Sequence, residues 1–495
     1  MIPDRETVDL QELQTVLKKS LGKDGKDRLG DFTSLDGSQL ITTLLSPETG
    51  KVRIFETPIK HNNYRALTTN FAQFHWFERC TFDMFGIVPE GHPRFKHLLL
   101  HTPYEENFFP LRKVPLPETY RSPVGRDFKF LEVKGEGVYE LPVGPIHAGV
   151  IEPGHFRFSC YGETIVNLEI RLGWVHRGVE KRLCEVPFKK AHFVAEAAAT
   201  DTAAANALAH VEALESIMGI EVTERARFLR TMALEIERLA THIIDVGGMG
   251  TDIGLLGIAA AMGRMRGKAL GIGDLLAGSR FLRGFIIPGG TRAVHEQNLS
   301  QFKSHITRLR HDLKEPIQMF LENQMALDRM REVAVMSRSL AEEFGLVGPA
   351  ARACGIPYDA RQSFAHGKYP ELAPPVMTAT GGDIFAREMV RIKEIWSSLD
   401  TLDRLIDNLP SGENLVKIPD KLPADKVGIG IVEAFRGELI HTIFTDKEGN
   451  IARYSVKDPS FNNWTTIPIA IRNNLIADFP LCNKSLSLSY SGNDR

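Results

Sequence analysis

Paired cysteines are the first thing this sequence lacks. Only five cysteines occur in 495 residues, and the closest two, Cys160 and Cys184, stand 24 positions apart, so there is no CxxC. That spacing argues against a disulfide framework. It also gives a thiolate-bound cluster or soft metal no adjacent ligand pair. Long apolar runs are missing as well. The richest, Gly254 to Gly263, is ten residues long and is followed by Arg264 and Arg266, against the ~18–20 residues a membrane span requires. The opening MIPDRETVDLQELQ has neither the basic start nor the apolar core of a signal peptide. No excess of positive charge marks a nucleic-acid surface, because the formal net charge is −2. The one Gly-rich candidate, from Gly271 (GIGDLLAG), lacks GxGxxG spacing and a preceding strand, which speaks against NAD binding by this chain. There is no GxSxG elbow. These absences describe a cytoplasmic chain that reaches a membrane only through partners.

What is present is an ordinary globular composition, 43% hydrophobic and 25% charged, at a length that implies more than one domain. Residues 1–120 read as a small mixed α/β domain. Val8–Leu21 has helical spacing, and Gln39–Leu45 and Val52–Glu56 are β-prone. The proline-rich stretch that follows predicts an extended linker over 121–138. From 139 to 495 the pattern is that of a larger, mainly helical domain with peripheral β segments, so the fold class is α+β. It opens with a hairpin turning at Tyr161–Gly162–Glu163. Helical patterns then run over Phe188–Met218, Thr223–Val246, Ala293–Glu343 and Ile384–Leu409. Thr223 is placed to cap the second of these and Gly247–Gly248 to close it. β-type segments return after Lys426.

Three groups of residues carry chemistry. Trp76–Tyr104 places Glu78, Arg79, Asp83 and the Gly91–His92–Pro93 turn among aromatics, which reads as an amphipathic helix and a docking loop. Pro145–Lys181 contains His147, Glu152, His155, His176, Arg177 and Glu180. Only His176 and Glu180 share i, i+4 spacing there, and no HExxH occurs. His147, on a proline- and glycine-bounded loop, reads either as a structural loop histidine or as a ligand-facing proton donor. The third group comprises carboxylate–arginine neighbours: Glu235 with Arg238, Asp359 with Arg361, Asp383 with Arg387, and Glu433 with Arg436. Each pair reads as a structural ion pair or as part of a charge relay.

Together these segments resemble a known family. Glu78–Arg79, Asp83, Phe85–Gly86–Ile87, Gly91–His92–Pro93 and Leu111–Arg112–Lys113 resemble the small hydrophilic subunit of respiratory complex I. PVGPIHAGVIEPGHF, RLGWVHRGVEKRL, MGIEVTERARFLR, EIERLATHIIDVG, IIPGG, GGDIFAR and EAFRGEL resemble its quinone-site subunit. They resemble equally the large subunit of membrane-bound nickel–iron hydrogenases of the formate hydrogenlyase and hydrogenase-4 type, in which the two modules are fused in this order. The resemblance implies a nickel–iron-hydrogenase-like bundle for the larger domain.

It also implies four ligand thiolates that are not here. An ungapped count back from Gly219–Val222 puts the first family pair on Ala199 and Thr202, and SLSYSGNDR ends without a second. The expectation is therefore no nickel–iron centre and no hydrogenase activity, because soft metals need deprotonated sulfur. His147 matches the histidine that faces the quinone headgroup, while the partner tyrosine falls on Thr200. The resemblance thus nominates His147, Thr200 and Asp201 as site residues and a quinone as ligand. The alanine run around Thr200 marks either an enlarged cavity or a helix packed closely against a partner. As partners it implies an iron–sulfur small subunit, a ferredoxin-like subunit and antiporter-like membrane subunits, with the chain peripheral on the cytoplasmic face of the membrane. Two functions follow: a redox subunit that couples electron transfer to ion translocation, or a non-catalytic scaffold of an antiporter-like complex.

Overall fold

A computed structural model describes residues 1–102, 104–147 and 151–495. The chain begins with β1 (Asp4–Thr7) and α1 (Leu10–Leu21). Asp9 caps α1 in a capping box with Glu12. Strands β2 (Arg28–Ser34), β3 (Gln39–Ser46) and β4 (Lys51–Pro58) complete a four-stranded sheet in the order β1-β4-β3-β2, with β1 parallel to β4 and the other pairings antiparallel. Helix α2 (His75–Phe85) packs on this sheet and ends at Gly86, whose φ of 71° is a left-handed helix terminus. Its acidic residues organise loops. Glu78 accepts from the backbone of Leu67 (2.7 Å) and Thr68 (3.1 Å). Asp83 accepts from Leu98 (2.9 Å) and Leu99 (2.6 Å) and meets His97 at 2.5 Å.

The segment 121–137 has no regular structure. The antiparallel strands β5 (Val138–Val143), β6 (His155–Tyr161) and β7 (Thr164–Arg171) follow, then α3 (Val179–Glu185). The bundle consists of α4 (Ala203–Met218), α5 (Glu224–Ile253), α6 (Leu256–Ala277), α7 (Glu296–Glu322) and α8 (Ile384–Asp407). A second antiparallel sheet, β8 (Val427–Ala434), β9 (Gly437–Thr445) and β10 (Ile451–Lys457), leads into α9 (Phe479–Leu486). The main apolar core runs from Leu13 on α1 and Phe32 in the first sheet through Phe156 and Leu229 to Trp464. The amino group of Met1 donates to the Ile429 carbonyl at 2.6 Å, tying the first residue to β8.

Several helices differ from the periodicity reading: α6 has no counterpart in it, and the pattern read over Ala293–Glu343 is continuous only to Glu322 and then breaks into two short helices. The alanine-rich stretch is not one helix but breaks over 197–202. Thr202, at the head of α4, makes no side-chain cap. Glu237 from α5 accepts from the Ala204 (2.6 Å) and Ala205 (3.1 Å) amides instead, so a tertiary carboxylate fixes where α4 starts. Helix α5 is capped by Thr223 but continues through Gly247–Gly248 to Gly254. A Cβ on Gly247 would lie 2.8 Å from Met262 Cβ, so this glycine permits the close crossing of α5 and α6 rather than ending a helix. The alanine run serves a similar close approach. Helix α4 packs on β8, where a Cβ on Gly430 would come within 1.9 Å of the Ala209 carbonyl oxygen. The closely packed surface belongs to this chain.

Candidate active site and buried ion cluster

The break before α4 leaves Thr200 and Asp201 on the wall of a cavity of about 320 Å³. Glu237, Thr241, Arg266 and Arg283 also line it. Asp201 binds Arg436 through both oxygens, at 2.8 and 2.7 Å, and Arg436 also donates to Thr202 Oγ1 at 3.0 Å. Burial works against the Asp201 charge, but the Arg436 guanidinium outweighs it and holds the carboxyl below the usual range. Glu237 goes the other way. Burial raises its carboxyl to about 8, and the two α4 amides offset this only in part. One wall therefore carries a fixed carboxylate and a carboxyl that holds a proton at neutral pH. That combination suits chemistry in which a bound acceptor takes up protons with electrons.

His147 lies elsewhere, on the loop between β5 and β6, and is not among the residues lining this cavity. Its Nε2 is 2.8 Å from the Gly154 carbonyl oxygen, and its ring centroid is 5.9 Å from that of Phe156. A Cβ on Gly144 (φ 83°) would meet both the Gly154 oxygen and the His147 ring, so this turn requires glycine. Glu152 anchors the loop by accepting from the Tyr490 (3.2 Å) and Ser491 (3.0 Å) amides.

A buried ion cluster fills the contact between α5, α8 and β8. Arg352 lies at its centre, 2.8 Å from Glu394 and 2.7 Å from Glu433. Arg361 pairs with Asp359 at 2.7 Å and reaches Glu235 at 3.3 Å. Arg238 joins Glu235 at 3.4 Å and Glu394 at 3.7 Å, and His242 Nε2 meets Glu394 at 2.8 Å. Tyr369 (2.5 Å) and Ser398 (2.6 Å) donate to Glu235. Every one of these charges is at most 2% exposed, so each depends on the others to offset its lost hydration.

This arrangement of a small N-terminal α/β region, a helical bundle and a buried charge cluster has close relatives. The family description "Respiratory-chain NADH dehydrogenase, 30 Kd subunit" matches residues 6–120, and the 49 Kd subunit of the same chain matches 252–429 and 421–495. Residues 121–251 fall outside both. Subunit 5 of formate hydrogenlyase from Escherichia coli is 30% identical over 94% of this chain and 83% of its own length. Subunit alpha of the membrane-bound hydrogenase of Pyrococcus furiosus is 33% identical over 72% of this chain and 87% of its own. The chain belongs to this fused, complex I-like family. Among solved structures, a chain of the membrane-bound sulfane sulfur reductase, an archaeal respiratory membrane complex, superposes with a TM-score of 0.69 at 26% identity, covering 73% of this chain and 99% of that one.

Within the family frame, the four sequence pairs divide. Glu235–Arg238 and Asp359–Arg361 are in contact and belong to the one cluster. Asp383 and Arg387 do not pair. Asp383 caps α8 through the Ala386 amide (2.7 Å) and accepts from Glu332 (2.9 Å), while Arg387 donates to Ser485 Oγ (2.9 Å) and the Gly382 carbonyl (2.9 Å). Glu433 and Arg436 do not pair either: Arg352 takes the first and Asp201 binds the second. Glu433 is on β8 while Arg436 lies in the turn between β8 and β9, so their side chains are not held on one face and each takes a partner from another element. His176 precedes α3 and shares no helical turn with Glu180. Its Nδ1 is 2.6 Å from the Asp494 carbonyl oxygen. Arg177 donates to the Ala197 and Ala198 carbonyls (2.7 Å each), and Glu180 binds Arg453 (3.0 Å) and Arg495 (3.3 Å).

The residues present do not fit a nickel–iron centre. At the counted family positions Ala199 is fully buried and Thr202 is bonded to Arg436. Cys80 contacts Arg495, and Cys354 sits against the Met336 and Ala350 carbonyls. Among the described residues, no three His, Cys, Asp or Glu side chains converge as a ligand set. Sequence reasoning missed Glu237, His242, Arg352 and Glu394. Glu237 and His242 lie inside the family segment EIERLATHIIDVG, where the double acidic pattern was the available signal. Arg352 had none, because its partner Glu433 is 81 positions away. No described helix is long and apolar enough to cross a membrane.

Proposed function

We propose that this chain is the large hydrophilic subunit of a membrane-associated, complex I-like redox complex on the cytoplasmic face of the membrane. Electrons arrive from an iron–sulfur partner subunit, itself fed by a ferredoxin-like subunit. They pass to a small acceptor at the Thr200–Asp201 cavity without a nickel–iron centre. A quinone fits that chemistry, since its reduction takes up two electrons and two protons. The single observation carrying this reading is the pairing, in one cavity, of the Arg436-bound Asp201 with a Glu237 carboxyl raised to about 8. The buried cluster around Arg352 then passes the change in charge toward antiporter-like membrane subunits, by rearrangement between alternative pairings.

The test is electron transfer in the assembled complex, from its reduced iron–sulfur partner to a soluble quinone. Glu237→Gln is expected to lower turnover by about 10²-fold or more, as for loss of a positioned acid, with the complex intact. His147→Ala in parallel asks whether the family histidine also donates; an unchanged rate removes it from the mechanism. A complex that reduces no acceptor would leave the scaffold reading in place of this one.

A further inference from the structure

On α8, six residues before the cluster's Glu394, Glu388 is fully buried, and neither of its carboxylate oxygens has a hydrogen-bond partner within the protein. Buried carboxyls without partners are rare, because the lost hydration is not replaced. The surrounding polar atoms are in the same condition. Arg391 Nε, 3.7 Å from Glu388, has no hydrogen-bond partner, and neither does Arg391 Nη1, 3.5 Å from Asp245 Oδ2. Asp245 Oδ2 and Arg387 Nη2 complete the set. Six orphaned polar atoms from two facing helices call for water between them, since a polar pocket with several donors and acceptors is where buried water is held.

The seam has two exits. Along α5, seven residues beyond Asp245, Asp252 pairs with Lys484 of α9 at 2.5 Å, with side chains 19% and 30% exposed. That step along the helix is about 10 Å. In the other direction Ser487 donates to Asp245 at 3.0 Å, and its carbonyl accepts from Arg436, the guanidinium that holds Asp201. Ser487 and Arg436 thus link Asp245 to Asp201 on the wall of the candidate redox cavity, and the partly exposed Asp252–Lys484 pair lies on the same face of α5 about two turns away.

We propose that Glu388 is a proton-storing carboxyl for that cavity, exchanging with solvent through a hydrated seam between α5, α8 and α9. This deepens the redox reading above and rests on it for its physiological role. Each proton that Glu388 releases toward the cavity is replaced by one from solvent at the Asp252–Lys484 end. The electrons come from the iron–sulfur partner and none pass through Glu388. The charged groups facing Glu388 are Arg387 and Arg391 on its own helix and Asp245 on α5. From α9 it is approached through Ser485, which bonds both arginines. Burial dominates over the arginines and raises the carboxyl to about 8, so it carries its proton at neutral pH.

Infrared difference titration of the assembled complex tests this, comparing the unaltered chain with Glu388→Gln and Glu388→Asp. Subtracting the Glu388→Gln spectrum removes the other raised carboxyls. A protonated-carboxyl band that disappears as pH passes about 8, shifts on transfer to D2O, and returns displaced in Glu388→Asp is the expected result. Proton release over the same span should fall by about one per chain in Glu388→Gln. Identical spectra for the unaltered chain and Glu388→Gln, or a band that never exchanges in D2O, would overturn the proposal. Quinone reduction is measured separately. Its absence from the unaltered complex would sink the redox reading while the infrared result still decides whether Glu388 exchanges a proton.

Discussion

Glu237 holds two jobs that pull in opposite directions. As the acceptor for the α4 amides it is favoured as a charged group, since helix N-termini attract negative charge. As a buried side chain it is favoured neutral, and burial wins. The sign of the resulting pH dependence follows. The folded chain binds this proton more tightly than the unfolded one, so the stabilisation is complete below the ordinary value of 4.5 and is lost as pH rises through about 8. The loss amounts to a few kcal/mol on the order of magnitude that such a displacement implies. Thermal unfolding measured across this window is expected to show the decline, and Glu237→Gln is expected to make it shallower, the remainder coming from the other buried carboxyls with raised values such as Glu388. Asp201 has the opposite sign: its pairing with Arg436 stabilises above the ordinary value of 3.8 and is lost on acidification.

At the scale of elements, α5 and α8 meet through fully buried charges, Arg238 and His242 against Glu394, as well as through apolar side chains. Removing one member leaves the rest without compensation. Arg352→Met strips the nearest cation from Glu394 and Glu433 together, and a cost of about 3–5 kcal/mol follows from breaking a buried pair. Denaturant unfolding should report it as a lower midpoint; an unchanged midpoint would mean that the cluster carries no net stability. The contact of α4 with β8 is limited by backbone instead. Gly430→Ala places a methyl group against the Ala209 carbonyl, and an overpacking cost of about 1–3 kcal/mol is expected from the same measurement.

For the whole molecule, the decisive quantity is metal content in the purified complex. Nickel is expected near zero per chain, and iron is expected only in proportion to the iron–sulfur partner. Nickel near one per chain would require a ligand set other than thiolates, and the assignment of the cavity would have to be rebuilt around it. The counted thiolate positions show why relatives named as hydrogenases do not decide this chain's chemistry. The fold is kept over most of its length, while the residues at its counted thiolate positions are an alanine and a threonine.

Much of this was determined by the sequence alone. Periodicity located four of the five bundle helices, the hairpin and the two β-rich regions, because amphipathic spacing is a local property. It did not find α6, Leu256–Ala277, whose stretch is rich in glycine and alanine and has no clear apolar stripe. The ordered motifs identified the family, and the missing CxxC pairs spoke against a nickel–iron site. The partners of the charged side chains were decided only by the tertiary structure. Arg352 with Glu433, Arg436 with Asp201, and Glu237 with the head of α4 join positions far apart in the chain, and no spacing rule encodes them. The break before α4 and the run of α5 through two glycines belong with these. A carboxylate from another helix fixes the first, and the close approach of α6 calls for the glycine at Gly247 in the second. Buried polar groups take whichever partner the packed core brings near, and that is settled only when the elements dock.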